Sequence, residues 1–184
     1  TLSGRIAGQA NVSSSSYRGQ LALAMTELAG HEKTVFLGQG VRDKGTFISS
    51  TLENVPFGKR IELPVAEEMQ MGMSIGLALD GYIPITIYPR FNFLVCAMNQ
   101  LVNHVNVMRP HVIIRVGVGS TIPLDPGPQH RGDWTEAFKL LLPDVIITKL
   151  ERIEDILPAY RLALAYNGPS MLIEIADYYE NTIA

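Results

Sequence analysis

The sequence predicts an α/β protein: a three-layer, doubly wound, mostly parallel six-stranded sheet with helices on both faces. Three observations predict it. Six short β-rich runs alternate with helical segments along the chain. Several of these runs, TVFLG, YIPITIY and HVIIRVGV among them, are apolar without the polar alternation of a half-exposed strand, as expected of strands covered on both faces. With 184 residues, 47% of them hydrophobic, the chain is long enough to bury one substantial core. That domain is expected to span 17–184, behind an N-terminal tail over 1–16.

YRGQLALAMTELAG (17–30) reads as a helix, with Leu21, Met25 and Leu28 on one stripe and Gly30 as its stop. TVFLG (34–38) is the first strand, and a loop with a short helix leads to RIEL (60–63). A helix over 66–80, the strand YIPITIY (82–88) and a helix over about 92–108 follow, then HVIIRVGV (111–118). The Gly/Pro-rich loop GVGSTIPLDPGPQHRGD precedes a helix near 134–142, and DVIITKL (144–150), a helix over 152–166 and SMLIEI (170–175) complete the alternation. Right-handed crossovers would bring the strand carboxyl ends, and any ligand site, to one edge.

Composition excludes several functions. A net charge of −3 argues against a dedicated nucleic-acid binder, which carries a basic face. Asp80, Arg90 and Arg115 interrupt the apolar regions, so no membrane span is expected and the cytoplasm is the expected location. Cys96 is the single cysteine, leaving no disulfide framework and no thiolate metal site. There is no GxxxxGK[ST] phosphate loop and no G-x-S-x-G elbow. Gly38-Gln39-Gly40 follows a strand, but Asp43 stands where a dinucleotide fingerprint needs its third glycine. The four histidines, at 31, 104, 111 and 130, lack metal-ligand spacing, so no metal held by this chain alone is expected.

The stretch 62–104 carries the most information. Glu67 and Glu68 open a helix whose next turns are almost uncharged. Carboxylates in a first turn suit the helix dipole, so the residues alone also allow plain N-terminal capping. Gly72, Gly76 and Ala78 permit close helix packing or a subunit interface. The run Pro64-Val65-Ala66-Glu67, MGMSIGLALDG, Ile83-Pro84-Ile85, Phe91-Asn92-Phe93 and Ala97-Met98-Asn99-Gln100-Leu101-Val102-Asn103 resembles the pyrimidine-binding domain of transketolase-like thiamine-diphosphate enzymes. Its nearest likeness within that group is to the beta subunit of the first component of 2-oxo-acid dehydrogenase complexes. YRGQLALAMTEL, VFLGQGV, GTFISSTLENVPFGKRIEL, Gln129-His130 with Trp134, Glu136 and Ala137, and LLPDVIITKL extend the resemblance in order over most of the chain.

The resemblance implies a role for each matching residue. Glu67 would hydrogen-bond the cofactor's pyrimidine N1′ and promote the imino tautomer of its 4′-amino group, which takes the thiazolium C2 proton. A carboxyl desolvated against that ring would have a raised pKa. Phe93 would lie against the ring, with Phe91 and Tyr88 as wall residues and Glu68 turned to solvent. Pro89 stands where relatives place a flexible apolar residue, and Gln39 stands where they often place a glutamate, removing a charge near the cofactor. His130 would assist substrate binding or acyl transfer.

The superfamily's G-D-G…N-N motif, which holds Mg²⁺ at the diphosphate, has no counterpart: Gly132-Asp133 runs into Trp134. The resemblance therefore implies a half-site, completed by a separate diphosphate-domain chain in an α2β2 heterotetramer acting on a small carbonyl or 2-oxo-acid substrate. The C-terminal domain of the usual beta subunit is not within the sequence, which is expected of a fragment or of a minimal split subunit. The alternatives are a non-catalytic assembly or regulatory subunit that keeps the fold, and a stand-alone nucleotide-binding α/β protein.

Overall fold

A computed structural model describes residues 15–43, 46–119 and 125–179. Most of the expected N-terminal tail, 1–14, lies outside the described residues. The strands are β1 (Thr34–Gly38), β2 (Arg60–Glu62), β3 (Ile83–Tyr88), β4 (Ile113–Val118), β5 (Ile146–Leu150) and β6 (Ser170–Ile175). They form one sheet in the order β2-β1-β3-β4-β6-β5, and every described pairing is parallel. The four inner strands are almost wholly buried, whereas the edge strands β2 and β5 are mostly half-buried, as the missing polar alternation of the central runs predicts.

Pro84 sits inside a central strand, a position that ordinarily argues against one. Its place in the ladder resolves the conflict. The Ile83 N–H is spent on the Lys33 carbonyl, on the β1 side, and pairing with β4 begins only at Ile85. The N–H that proline lacks would have pointed to a place where no neighbouring strand yet runs.

Successive strand residues face opposite sides, so Ile113 and Ile114 enter different cores. One core lies under α1 (Tyr17–Ala29) and α7 (Ile153–Ala165), with Leu21, Met25, Phe36, Ile85 and Tyr160 in it. The other lies under α2 (Glu67–Leu79), the segment 91–108 and α6 (Thr135–Leu141), with Met71, Phe91, Leu101 and Phe138 in it. The Ser16 Oγ caps α1 by accepting from the Gly19 N–H at 3.0 Å, and the predicted stripe Leu21, Met25 and Leu28 is fully buried.

The helix expected over about 92–108 is not continuous. It divides into α3 (Phe91–Val95), α4 (Met98–Gln100), a π-turn over Leu101–Val105 and α5 (Asn106–Met108). The buried residues explain the division: Phe91, Leu94, Ala97, Leu101 and Val105 are spaced three, three, four and four apart. A regular helix with 3.6 residues per turn places 98 rather than 97 on that line. A tight turn, in which the Cys96 and Ala97 N–H groups bond back three residues at 2.9 Å, is followed by the wide π-turn. Arg109, left-handed at φ 52°, ends the segment.

Between β4 and β6 the core holds a fully buried ion pair, Arg115 and Glu174. Arg115 Nη2 also donates to Glu174 Oε2 at 3.0 Å and to Thr51 Oγ1 at 2.7 Å. The Tyr160 hydroxyl donates to Glu174 Oε1 at 2.5 Å, and the Tyr179 hydroxyl donates to Oε2. Burial and then the Glu174 charge push both tyrosines well above their usual pKa, which keeps them as donors. Burial, the largest single influence, disfavours the charged guanidinium, but Glu174 together with Tyr179 and Tyr160 more than offsets it and holds Arg115 above its ordinary value.

Glu174→Leu is expected to cost about 3–5 kcal/mol, because it leaves a buried guanidinium uncompensated. Arg115→Met combined with Glu174→Leu is expected to cost less than Glu174→Leu alone, which urea unfolding of the three proteins measures.

Candidate active site

The parallel sheet sends all six strand carboxyl ends to one edge, and the residues singled out from sequence lie along it. Gln39 follows β1, Glu67 opens α2 after β2, Tyr88 ends β3, Phe91 and Phe93 lie on α3, and His130 lies in the loop after β4. Four of them form two contacting pairs, Glu67 with Tyr88 and Phe93 with His130, while Gln39 and Phe91 join neither.

The first group surrounds the start of α2. Glu67 is half-buried, and its backbone carbonyl accepts from the Tyr88 hydroxyl at 3.1 Å. Tyr88 is itself buried, and burial pushes its phenol well up, with the Glu67 charge adding to the rise. One turn on, Gln70 is buried and donates from Nε2 to Thr86 Oγ1 and to the Ile87 carbonyl, both at 2.9 Å. That side chain pins the helix start to β3. Gly38 is part of the same contact: at φ 149°, a Cβ there would meet the Ile87 carbonyl oxygen at 2.4 Å and Gln70 Nε2 at 3.1 Å. Glu68 is exposed, as expected, but it is engaged, accepting from Asn99 Nδ2 at 2.9 Å.

Gln39 is half-buried in a loop tied down by a carboxylate of β2. The two Glu62 oxygens accept the N–H groups of Gly40 at 2.6 Å and Arg42 at 2.7 Å. The loop borders a cavity of about 490 Å³ whose lining includes Arg18, Arg42, Arg60, Asp43 and Glu53.

The second group surrounds His130. Its ring lies 5.6 Å from the Phe93 ring, centroid to centroid, and its Nδ1 is 3.0 Å from Asn92 Nδ2. Phe93 and His130 are both half-buried. Phe91 points the other way. It is buried in the core, edge-on to Phe138 at 4.8 Å. Arg90, between Tyr88 and these rings, donates to the Gly119 carbonyl at 3.2 Å, and burial holds its guanidinium below the usual value. Pro89 offers its carbonyl oxygen to the inside of the fold, 2.6 Å from where a Cβ on Gly117 would stand.

Sequence reasoning does not single out Glu62 or Gln70, and it names Asn92 only as part of the Phe91-Asn92-Phe93 run, with no role. Gln70 had a signal, being the only amide in an apolar helix three residues after Glu67. Glu62 is hidden in a strand-like run, and its partners are 20 and 22 residues away. Among the described residues no group of three or more His, Cys, Asp or Glu could hold a metal ion, and no helix is long and apolar enough to cross a membrane.

Fold and edge together define a class: a doubly wound α/β domain with a carboxylate, aromatic rings and a histidine gathered at the strands' carboxyl ends. Residues 13–179 match the family model described as transketolase, pyrimidine binding domain, and the chain belongs to that family of thiamine-diphosphate enzyme domains. It is 26% identical over 156 residues to 1-deoxy-D-xylulose-5-phosphate synthase 2 of Geobacter sulfurreducens, covering 84% of this chain and 24% of that protein. It is 28% identical over 120 residues to the corresponding synthase of Brevibacillus brevis, covering 62% of this chain and 19% of that one. The chain thus spans about a quarter or less of these relatives. Among solved structures, a split-gene transketolase in an inactive beta4 tetramer superposes with a TM-score of 0.69 at 18% identity, over 87% of this chain and 50% of that one. Transketolase from Campylobacter jejuni superposes with a TM-score of 0.66 at 16% identity, over 87% and 25%.

Gln70→Leu removes both bonds to β3 and leaves the Ile87 carbonyl and the Thr86 hydroxyl without that buried partner. It is expected to lower stability by about 1–3 kcal/mol, measured by denaturant unfolding.

Proposed function

We propose that this chain is the pyrimidine-domain subunit of a thiamine-diphosphate-dependent enzyme, a transferase or a 2-oxo-acid decarboxylase or dehydrogenase. A separate diphosphate-domain chain would complete its active site. The observation that carries the reading is Glu67: a half-buried carboxylate at the first turn of α2, its backbone fixed by Tyr88 and the next turn fixed by Gln70. The residues fit an aminopyrimidine. A carboxylate suits a ring nitrogen, and the half-exposed Phe93 ring suits a flat heteroaromatic face.

When bound, thiamine diphosphate supplies the nucleophilic carbon that attacks a substrate carbonyl. In this reading Glu67 holds a proton at the pyrimidine N1′, and Phe93 sets the plane of the ring. Tyr88 and Phe91, buried behind them, hold the wall rather than touch the ligand. His130 faces the substrate, and Gln39 lines the edge without adding charge. Substrate selection falls to the loops 39–59 and 117–133, with Arg18 and Arg42 in the cavity beside the first of them offering positive charge to an anionic 2-oxo acid or sugar phosphate. Residues 44–45 and 120–124 of these loops lie outside the described residues.

Mg²⁺ in this reading belongs to a partner carrying the G-D-G…N-N motif, in a cytoplasmic α2β2 assembly. Two findings support a separate partner. The chain covers half of a split-gene transketolase chain, and α2 with the residues leading into it presents Val65, Met69, Met73 and Leu79 to solvent, with Val65 77% and Leu79 65% exposed.

Native mass spectrometry of the complex from the host cell is expected to show a second polypeptide together with thiamine diphosphate and Mg²⁺. In the reconstituted enzyme, Glu67→Ala is expected to lower kcat by roughly 10²–10⁴-fold while the complex still assembles. A non-catalytic assembly subunit would instead show no cofactor and no dependence on Glu67.

A further inference from the structure

Asn92 and His130 are 38 residues apart in sequence and are joined by one short contact, Asn92 Nδ2 to His130 Nδ1 at 3.0 Å. An amide nitrogen only donates, so Nδ1 must accept, and in a neutral imidazole the proton then sits on Nε2. The other amide atom, Asn92 Oδ1, is buried and has no hydrogen-bond partner among the described residues. Turning the amide round would let Nδ1–H donate to Oδ1. It would also bury both N–H groups of the amide where the oxygen now lies, trading one orphan acceptor for two orphan donors. The observed orientation is the less costly one.

The surroundings keep the pair in register. Phe91, buried against Phe138, fixes the first turn of α3, and the two following residues meet His130 through the Asn92 amide and the Phe93 ring. At the far side of the imidazole, Nε2 neighbours the exposed Gln129 side chain, whose amide nitrogen is 3.4 Å away. That side chain is free to turn its oxygen toward a protonated Nε2. As placed, the Gln129 nitrogen would itself call for an acceptor at Nε2, but that contact is longer than the Asn92 one and comes from an exposed side chain, so it holds Nε2 as a lone pair less firmly than Asn92 holds Nδ1.

We propose that Asn92 is a positioning residue for His130: it holds the neutral imidazole as its Nε2–H tautomer, so that His130 offers a substrate oxygen a proton donor rather than a lone pair. This rests on the reading of His130 as a substrate-facing group.

Long-range ¹H–¹⁵N NMR of the full ¹⁵N-labelled chain above the histidine pKa, with the His130 signals assigned by comparison with His130→Gln, reads the tautomer directly. The wild-type chain is expected to show Nδ1 unprotonated and Nε2 protonated. In Asn92→Ala the preference should fall by about fivefold, the size of one neutral hydrogen bond. Asn92→Asp supplies an acceptor in place of a donor, so it should move the proton to Nδ1. Nδ1 protonated in the wild-type chain, or a tautomer unchanged in both variants, overturns the proposal. The measurement needs no cofactor, so a failure of the thiamine-diphosphate reading, seen as its absence from the native complex, is distinguishable from a failure of this one.

Discussion

Taking an arginine and a glutamate wholly out of water is costly, and the fold does so at the centre of its sheet. Arg115 on β4 and Glu174 on β6 have no exposed surface, and their pairing is tolerable only because further groups converge on them. Those groups come from distant parts of the chain: Thr51 from the segment after the first loop, Tyr160 from α7 and Tyr179 from the turn after β6. Tyr17, at the start of α1, lies alongside, donating to the Leu150 carbonyl and accepting from the Ile175 N–H. The network therefore fixes which segments close over one face of the sheet. It is satisfied except at Arg115 Nη1, which has no partner among the described residues.

On the other face the constraint is steric. Gly38 lets β1 and β3 approach where any side chain would strike the Ile87 carbonyl, and Gln70 uses that closeness to bridge α2 to β3. Glu62, on β2, draws the loop after β1 inward by taking two of its backbone N–H groups. Glu67 and Gln39 are thereby presented at the sheet edge by a frame whose own polar groups are already spoken for.

The outer face of α2 behaves differently. A methyl group at Gly72 would meet only the Gln100 side chain within 4 Å, and one at Gly76 would meet nothing among the described residues, while Val65, Met69, Met73 and Leu79 are exposed. Small residues beside exposed apolar ones give a helix face with room for a close neighbour that the described residues do not provide.

Local pattern was enough for the strands, α1, α2, α6, α7 and the parallel sheet class, because continuous apolar runs between helices admit few other arrangements. The motif order was enough for the family. Period alone could not show the broken helix over 91–108, since the break arises from which side chains the second core accepts at 97, 101 and 105. Glu67, Phe93 and His130 were legible as candidates, each in a recognisable local context. Asn92 was not, because its meaning is a contact with a residue 38 positions away. Nor could sequence show that Phe91 turns into the core while Phe93, two residues on, meets the histidine. The sequence by itself determined the strands, the helices outside 91–108, the family and the carboxylate at the sheet edge, all of which depend on local periodicity and motif spacing. Only the tertiary structure decided which polar groups meet, because a hydrogen bond depends on distances of a few ångströms between segments whose separation along the chain carries no such information.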